Sequence, residues 1–146
     1  MENIVIDKKM VPPGYVMCFN SDCPRHGECL RWIVGQQASD NLRVATTVLP
    51  SVLKLSRCTY YRKAETQRMA WGFSKLFEDV KRKDAKPLRD GMVKYLGGNG
   101  TYSRYRLGRR MLSPQQQDYI LNLFRRRGYT EGLEFDNYVT TYDLDH

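Results

Sequence analysis

Along residues 63–83 apolar side chains recur at steps of three and four. Met69, Phe73, Leu76, Phe77 and Val80 fall on one stripe, with Trp71 beside it. That period predicts an amphipathic helix. A second helix is predicted over 87–96 from Leu88, Met92, Tyr95 and Leu96. Pro87 suits its first turn, and the run Gly97, Gly98, Asn99, Gly100 ends it. A third is predicted over 114–127 on Ile120, Leu123 and Phe124, with Tyr119 alongside. Ser113 stands as its N-cap, Pro114 at the first helical position and Gln116 at the third, which spells a capping box. Gly128 follows the last turn, where glycine commonly closes a helix.

The first half of the chain alternates more than it cycles. Residues 4–6 read as a short edge strand and 15–19 as a strand ending in the turn Asn20, Ser21, Asp22. Residues 28–37 read as a short helix with Leu30, Ile33 and Val34 on one face. Over 42–49, Leu42, Val44, Thr46 and Val48 alternate with Arg43, Ala45 and Thr47, the pattern of a half-buried strand. Pro50 and Ser51 end it, and 52–62 starts with a similar alternation. Residues 101–112 mix aromatic and basic residues and read as an extended arm or a loop. Residues 133–142 are β-prone. The expected fold is therefore α+β: a small, cysteine-clasped, β-containing N-terminal part packed on a helical C-terminal part. The boundary is placed between 1–62 and 63–146, with a single compact domain as the alternative.

Charge changes this picture. The 146 residues carry a net charge of +8, unevenly spread. Residues 1–53 hold five basic and five acidic side chains, residues 54–127 hold 19 and 6, and residues 128–146 hold none and five. An anion-binding surface would come from the middle block, with the acidic end able to lie over part of it. An aromatic content of 12% argues against general disorder. No stretch has the length and apolarity of a membrane span. The first residues lack the pattern of an export signal, so a cytoplasmic setting is expected.

The chemistry concentrates in CFNSDCPRHGEC, which places Cys18, Cys23 and Cys29 with four and then five residues between them, and Cys58 as the fourth thiol. Four thiols in a reducing compartment point to a metal site before disulfides. Zinc takes four thiolates in a tetrahedron, with sulfurs about 2.3 Å from the ion. Cys18, Cys23, Cys29 and Cys58 are the candidate ligands, with His26 as a substitute for Cys58. An iron–sulfur cluster is the alternative, since it also takes four thiolates and Cys23–Pro24 matches one step of the bacterial ferredoxin pattern. The competing expectation is four unrelated buried thiols. Cys29 opens the short helix, and Cys58 is expected to return to the loop through an antiparallel pairing.

For nucleic acid the candidates are Arg104, Arg106, Arg109 and Arg110, interleaved with Tyr102 and Tyr105, and then Arg125, Arg126 and Arg127. Arginine forks onto phosphate and tyrosine stacks on unpaired bases. The plain alternative is a solvated helix end, where cations favour the helix dipole without any ligand. No Walker loop and no paired-carboxylate motif is present, and the second histidine is the last residue, which disfavours a thiol or iron–sulfur enzyme. The expected function is a non-enzymatic, metal-stabilised nucleic-acid-binding protein. A protein–protein interaction or regulatory scaffold is the alternative. The cysteine pattern, with TYYRKAETQRMAWGF and YSRYRLGRRMLSPQQQDYI, resembles a family of small uncharacterised proteins from gut Bacteroidetes. That resemblance implies a bacterial protein and lends no catalytic residue.

Overall fold

The computed structural model describes residues 4–144. The fold is α+β, and the chain divides into two compact units, the first ending at Glu65 and the second spanning Thr66–Leu144.

In the first unit, strand β1 (Met17–Cys18) pairs in parallel with β2 (Thr47–Val48), and helix α1 (Leu30–Gln36) packs on β1. α1 buries Leu30, Ile33 and Val34, the face its sequence marks out. Gly35 lets the helix sit close on the strand: a Cβ there would lie 2.8 Å from the Cys18 carbonyl oxygen. The remaining chain is turns, with 3-10 segments at Lys8–Met10, His26–Glu28 and Pro50–Lys54. Several expected strands shrink or vanish here. Residues 4–6 form no strand. Of 42–49 only Thr47 and Val48 pair, because the segment before them is not covered, and Val44 is 86% exposed. Pro50 starts a 3-10 turn where alternation favoured a strand over 52–62.

The second unit holds helices α2 (Ser74–Phe77), α3 (Arg82–Leu96), α4 (Asn99–Leu107) and α5 (Pro114–Arg125) with strands β3 (Thr66–Trp71) and β4 (Asn137–Tyr142). The helix expected over 63–83 is replaced by β3, a break and the single turn α2. Six register pairs, from Thr66↔Tyr142 to Trp71↔Asn137, join β3 to β4, and Ala70 bridges Leu112 on the other edge. Pairing on both edges outweighs the helical spacing of the apolar residues. Gly72 then takes φ +86°, and a Cβ there would lie 2.7 Å from Asp136, so the helix could not have run through it. Asp136 instead accepts from the backbone N–H groups of Ser74 and Lys75 at 3.0 and 2.7 Å, anchoring the start of α2.

α3 begins five residues before the expected start, and Pro87 lies inside it. Residues 101–112, expected as an arm or loop, are mostly α4, whose Tyr102 and Tyr105 bury one helical face. α5 starts as its sequence foretells. Ser113 accepts from the Gln116 N–H, and the Gln116 side chain accepts from the Ser113 N–H at 3.0 Å. Leu88, Met92, Tyr105, Ile120, Phe124 and Phe135 are core members drawn from every part of this unit. Full burial of such a side chain contributes about 1.5–3 kcal/mol. Gln117, buried on α5, donates to the carbonyls of Arg68 and Leu112 at 2.8 and 3.0 Å and so ties the helix to β3.

Candidate functional site

All four cysteines line one cavity of about 40 Å³ in the first unit, together with His26 and Trp32. Each arrives by a different local device. Cys18 ends β1. Asn20, buried, donates its side-chain amide to the carbonyls of Val48 and Leu49 and pins the following turn to β2. Three successive tight turns then space the loop: Cys23 N–H to the Asn20 carbonyl, His26 N–H to the Cys23 carbonyl, and Cys29 N–H to the His26 carbonyl, at 3.1–3.2 Å. Cys29, buried, is the residue before α1, and its thiol makes no capping bond. The segment that carries Cys58 is tied back by an antiparallel contact a few residues further along. Leu30 N–H donates to the Arg62 carbonyl and Ala64 N–H to the Glu28 carbonyl, around the bridge Cys29↔Lys63. Arg31 fastens the same return by donating to the carbonyls of Tyr60 and Val16 at 2.8 and 3.0 Å.

All four thiols are free of disulfide. Burial pushes the Cys18 thiol up; the Asn20 N–H opposes this, and Cys29, Cys23 and Cys58 each add to the rise. The other three cysteines line the same cavity as Cys18. Among the described residues no group of three or more His, Cys, Asp or Glu side chains is arranged to hold a metal as it stands. The thiols thus share a cavity without forming a closed tetrahedron. Two ring nitrogens at its wall, His26 Nδ1 and Trp32 Nε1, are buried without a hydrogen-bond partner among the described residues. Their rings pack at 4.3 Å between centroids. The sequence offers His26 as a surface loop histidine or a substitute ligand and Trp32 only as a residue beside the apolar face of the short helix; nothing in the spacing marks the two as neighbours at this wall.

In the second unit the arginine candidates fall on two separate helices. Arg104 and Arg106 are exposed on α4, and Arg109 is exposed in the turn after it. Arg110 follows it, with its guanidinium 5.0 Å from the Tyr105 ring centre. Arg125, Arg126 and Arg127 end α5; Arg125 donates to Asn122 at 3.0 Å and Arg127 pairs with Asp84 at 3.2 Å. The two tyrosines do not serve as stacking surfaces. Tyr102 and Tyr105 are 8% and 1% exposed and belong to the core, so their rings are out of reach of a base. Burial pushes the Tyr102 phenol up, while Arg89 and Arg106 pull it down, Arg89 through a hydrogen bond as well. Arg89 on α3 thus acts on a tyrosine of α4, a pairing across the packed α3–α4 hairpin that the sequence could not show.

Exposed Lys81, Arg82, Lys83 and Lys86 extend the positive charge at the start of α3. The 54–127 excess of basic residues is thus largely on the surface. Within the C-terminal acidic stretch, Asn137–Tyr142 forms β4 and is paired along its length with β3. No helix is long and apolar enough to cross a membrane among the described residues.

No curated protein and no solved structure matches the chain. A family model does match it, over residues 1–144, and the chain accordingly belongs to the family of unknown function DUF6078.

Proposed function

We propose that this is a non-enzymatic, metal-stabilised protein of a cytoplasmic, reducing setting, whose second unit binds nucleic acid through phosphate contacts. The observation that carries the metal half is that Cys58, far along the chain, lines the same small cavity as Cys18, Cys23 and Cys29 of one loop. On this reading the four side chains turn onto an ion that no group of them is arranged to hold as it stands. The cavity of about 40 Å³ suits a single zinc ion better than a bulky iron–sulfur cube. Zinc in such a site is structural: four thiolates leave no open position for substrate.

Support for the nucleic-acid half comes from Arg104, Arg106 and Arg109 with the basic residues of α3. With Tyr102 and Tyr105 buried, the recognition is of phosphate, and sequence preference is weak. A protein-interaction role is the second reading. It is favoured by Leu49, Leu55 and Tyr60 of the first unit, which are 50–64% exposed.

Two measurements test the proposal. Elemental analysis of protein purified without added metal is expected to give one zinc per chain; iron in a brown protein moves the site to a cluster, and neither metal removes it. Titration of the full chain with mixed-sequence DNA and RNA at two salt concentrations is expected to show binding that weakens steeply with salt. Replacing Arg104, Arg106 and Arg109 by Gln is expected to lower the log–log salt slope by roughly one for each phosphate no longer neutralised. Absence of binding at low salt rejects the nucleic-acid half and leaves the interaction scaffold.

A further inference from the structure

Polar groups buried without partners are rare in folded proteins and call for an explanation. Two of them here, His26 Nδ1 and Trp32 Nε1, belong to residues of the wall that the four thiols share. An indole nitrogen can only donate. It cannot ligate a metal, so Trp32 needs an acceptor at this wall. Leaving such a donor buried and unmade is costly to the fold. The cavity wall offers the four sulfurs as acceptors beside Asn20, Tyr60 and Tyr61, and neither ring nitrogen is bonded to any of them as the chain stands. A neutral thiol is a weak acceptor, whereas a thiolate accepts well because its charge strengthens the bond. Zinc held by four thiolates keeps a net negative charge, and donors aimed at the sulfurs stabilise it.

We propose that His26 and Trp32 are the outer wall of the four-thiolate metal site, each donating a ring N–H to a ligating sulfur; this inference rests on the metal reading above. His26 then carries its proton on Nδ1. The packing of the two rings, 4.3 Å between centroids, holds both in place. Cys18, Cys23, Cys29 and Cys58 fill the four positions around the ion, which leaves His26 as a positioning residue and not the substitute ligand. The 3-10 turn His26–Glu28 and the first turns of α1 bring the two rings to the same wall. Outer partners of this kind fix ligand orientation and tune how firmly a metal is held.

The test uses the full chain, zinc-loaded for release and cobalt(II)-loaded for spectroscopy. Trp32→Phe and His26→Phe each keep a ring and lose a donor, while His26→Gln keeps a donor on a smaller side chain. Both Phe variants are expected to bind one ion per chain with the band intensities of four thiolates. Zinc release to a chelator is expected to be about 10–100-fold faster. The sulfur-to-cobalt charge-transfer band is expected to move to lower energy, because an unbonded sulfur gives up its electron more easily. His26→Gln is expected to fall between His26→Phe and the unaltered protein. Unchanged release and an unchanged band in both Phe variants overturn the proposal. A wild-type spectrum of three thiolates and one imidazole that alters only in the His26 variants overturns it in favour of His26 as ligand. Failure of the unaltered protein to take up either ion removes the metal reading itself, an outcome distinct from the other two.

Discussion

Of the 21 buried apolar residues among those described, 15 lie in the second unit, from Met69 to Leu144, and six in the first, from Ile6 to Val48. The second unit gathers twelve of its fifteen into a single cluster that includes Phe73, Phe124 and Phe135. The first has one two-turn helix, two strands of two residues each and many turns. Domains of about 60 residues bury a smaller fraction of their surface than larger ones, and those with thin cores usually need a staple. The cysteines fall where the core is thin: all four are in the first unit. One half of this chain is therefore held by packing, and the other, on the proposed function, by its thiol site.

The strongest way to break that contrast is to remove the metal. Chelation, or Cys29→Ser with Cys58→Ser, is expected to open the first unit to protease and to hydrogen exchange while the second stays protected. Structural zinc supplies about 10–16 kcal/mol of binding energy that the unfolded chain lacks. Equal protection of both units with and without chelator would erase the distinction. The converse experiment strikes the packed half. Phe124→Ala removes a fully buried ring and is expected to destabilise the second unit by about 3–5 kcal/mol in urea titration, with zinc content unchanged.

Two smaller effects sharpen the comparison within the second unit. Gln117→Ala leaves the carbonyls of Arg68 and Leu112 without their side-chain donor and is expected to cost about 1–3 kcal/mol, measured the same way. The smallest effect is that of pH. The hydrogen bond from Tyr129, with Arg127 beside it, holds the Asp84 carboxyl below the usual carboxylate range. A carboxyl lowered by folding stabilises above its unfolded value and loses that contribution as pH falls through the folded value. Melting temperature measured downward from pH 6 is therefore expected to fall less in Asp84→Asn than in the unaltered protein. The thiol site leans the same way. The raised Cys18 thiol stays protonated at neutral pH in the metal-free chain, so metal uptake releases protons and affinity rises with pH.

How much of this can be read from the chain depends on where each interaction finds its partner. The helix over 114–125 is legible because Ser113, Pro114 and Gln116 act within one turn and Ile120 and Phe124 within the next. α1 is legible for the same reason. The core of α3 is marked by Leu88, Met92 and Leu96, although Pro87 points to a later start than the helix takes. The four cysteines suggest a shared site by their number, although their spacing is loose, whereas the strand expected to bring Cys58 back does not form and a bridge at Lys63 ties its segment to Cys29 instead.

What the sequence determined by itself is therefore local: caps, helical faces, the turn chemistry of residues 20–29, and the charge of residues 54–127. Tertiary structure decided the rest, because those residues answer to partners far away in the chain. Residues 66–71 have helical spacing yet form a strand, since 137–142 and Leu112 supply hydrogen bonds on both edges. Tyr102 and Tyr105 alternate with arginines as a stacking motif would, yet the hydrophobic effect draws both rings inward once Phe73 and Gln116 stand beside them. The place of His26 and Trp32 at the thiol wall belongs to the same class. Ring nitrogens left without partners become visible only when the fold has closed around them.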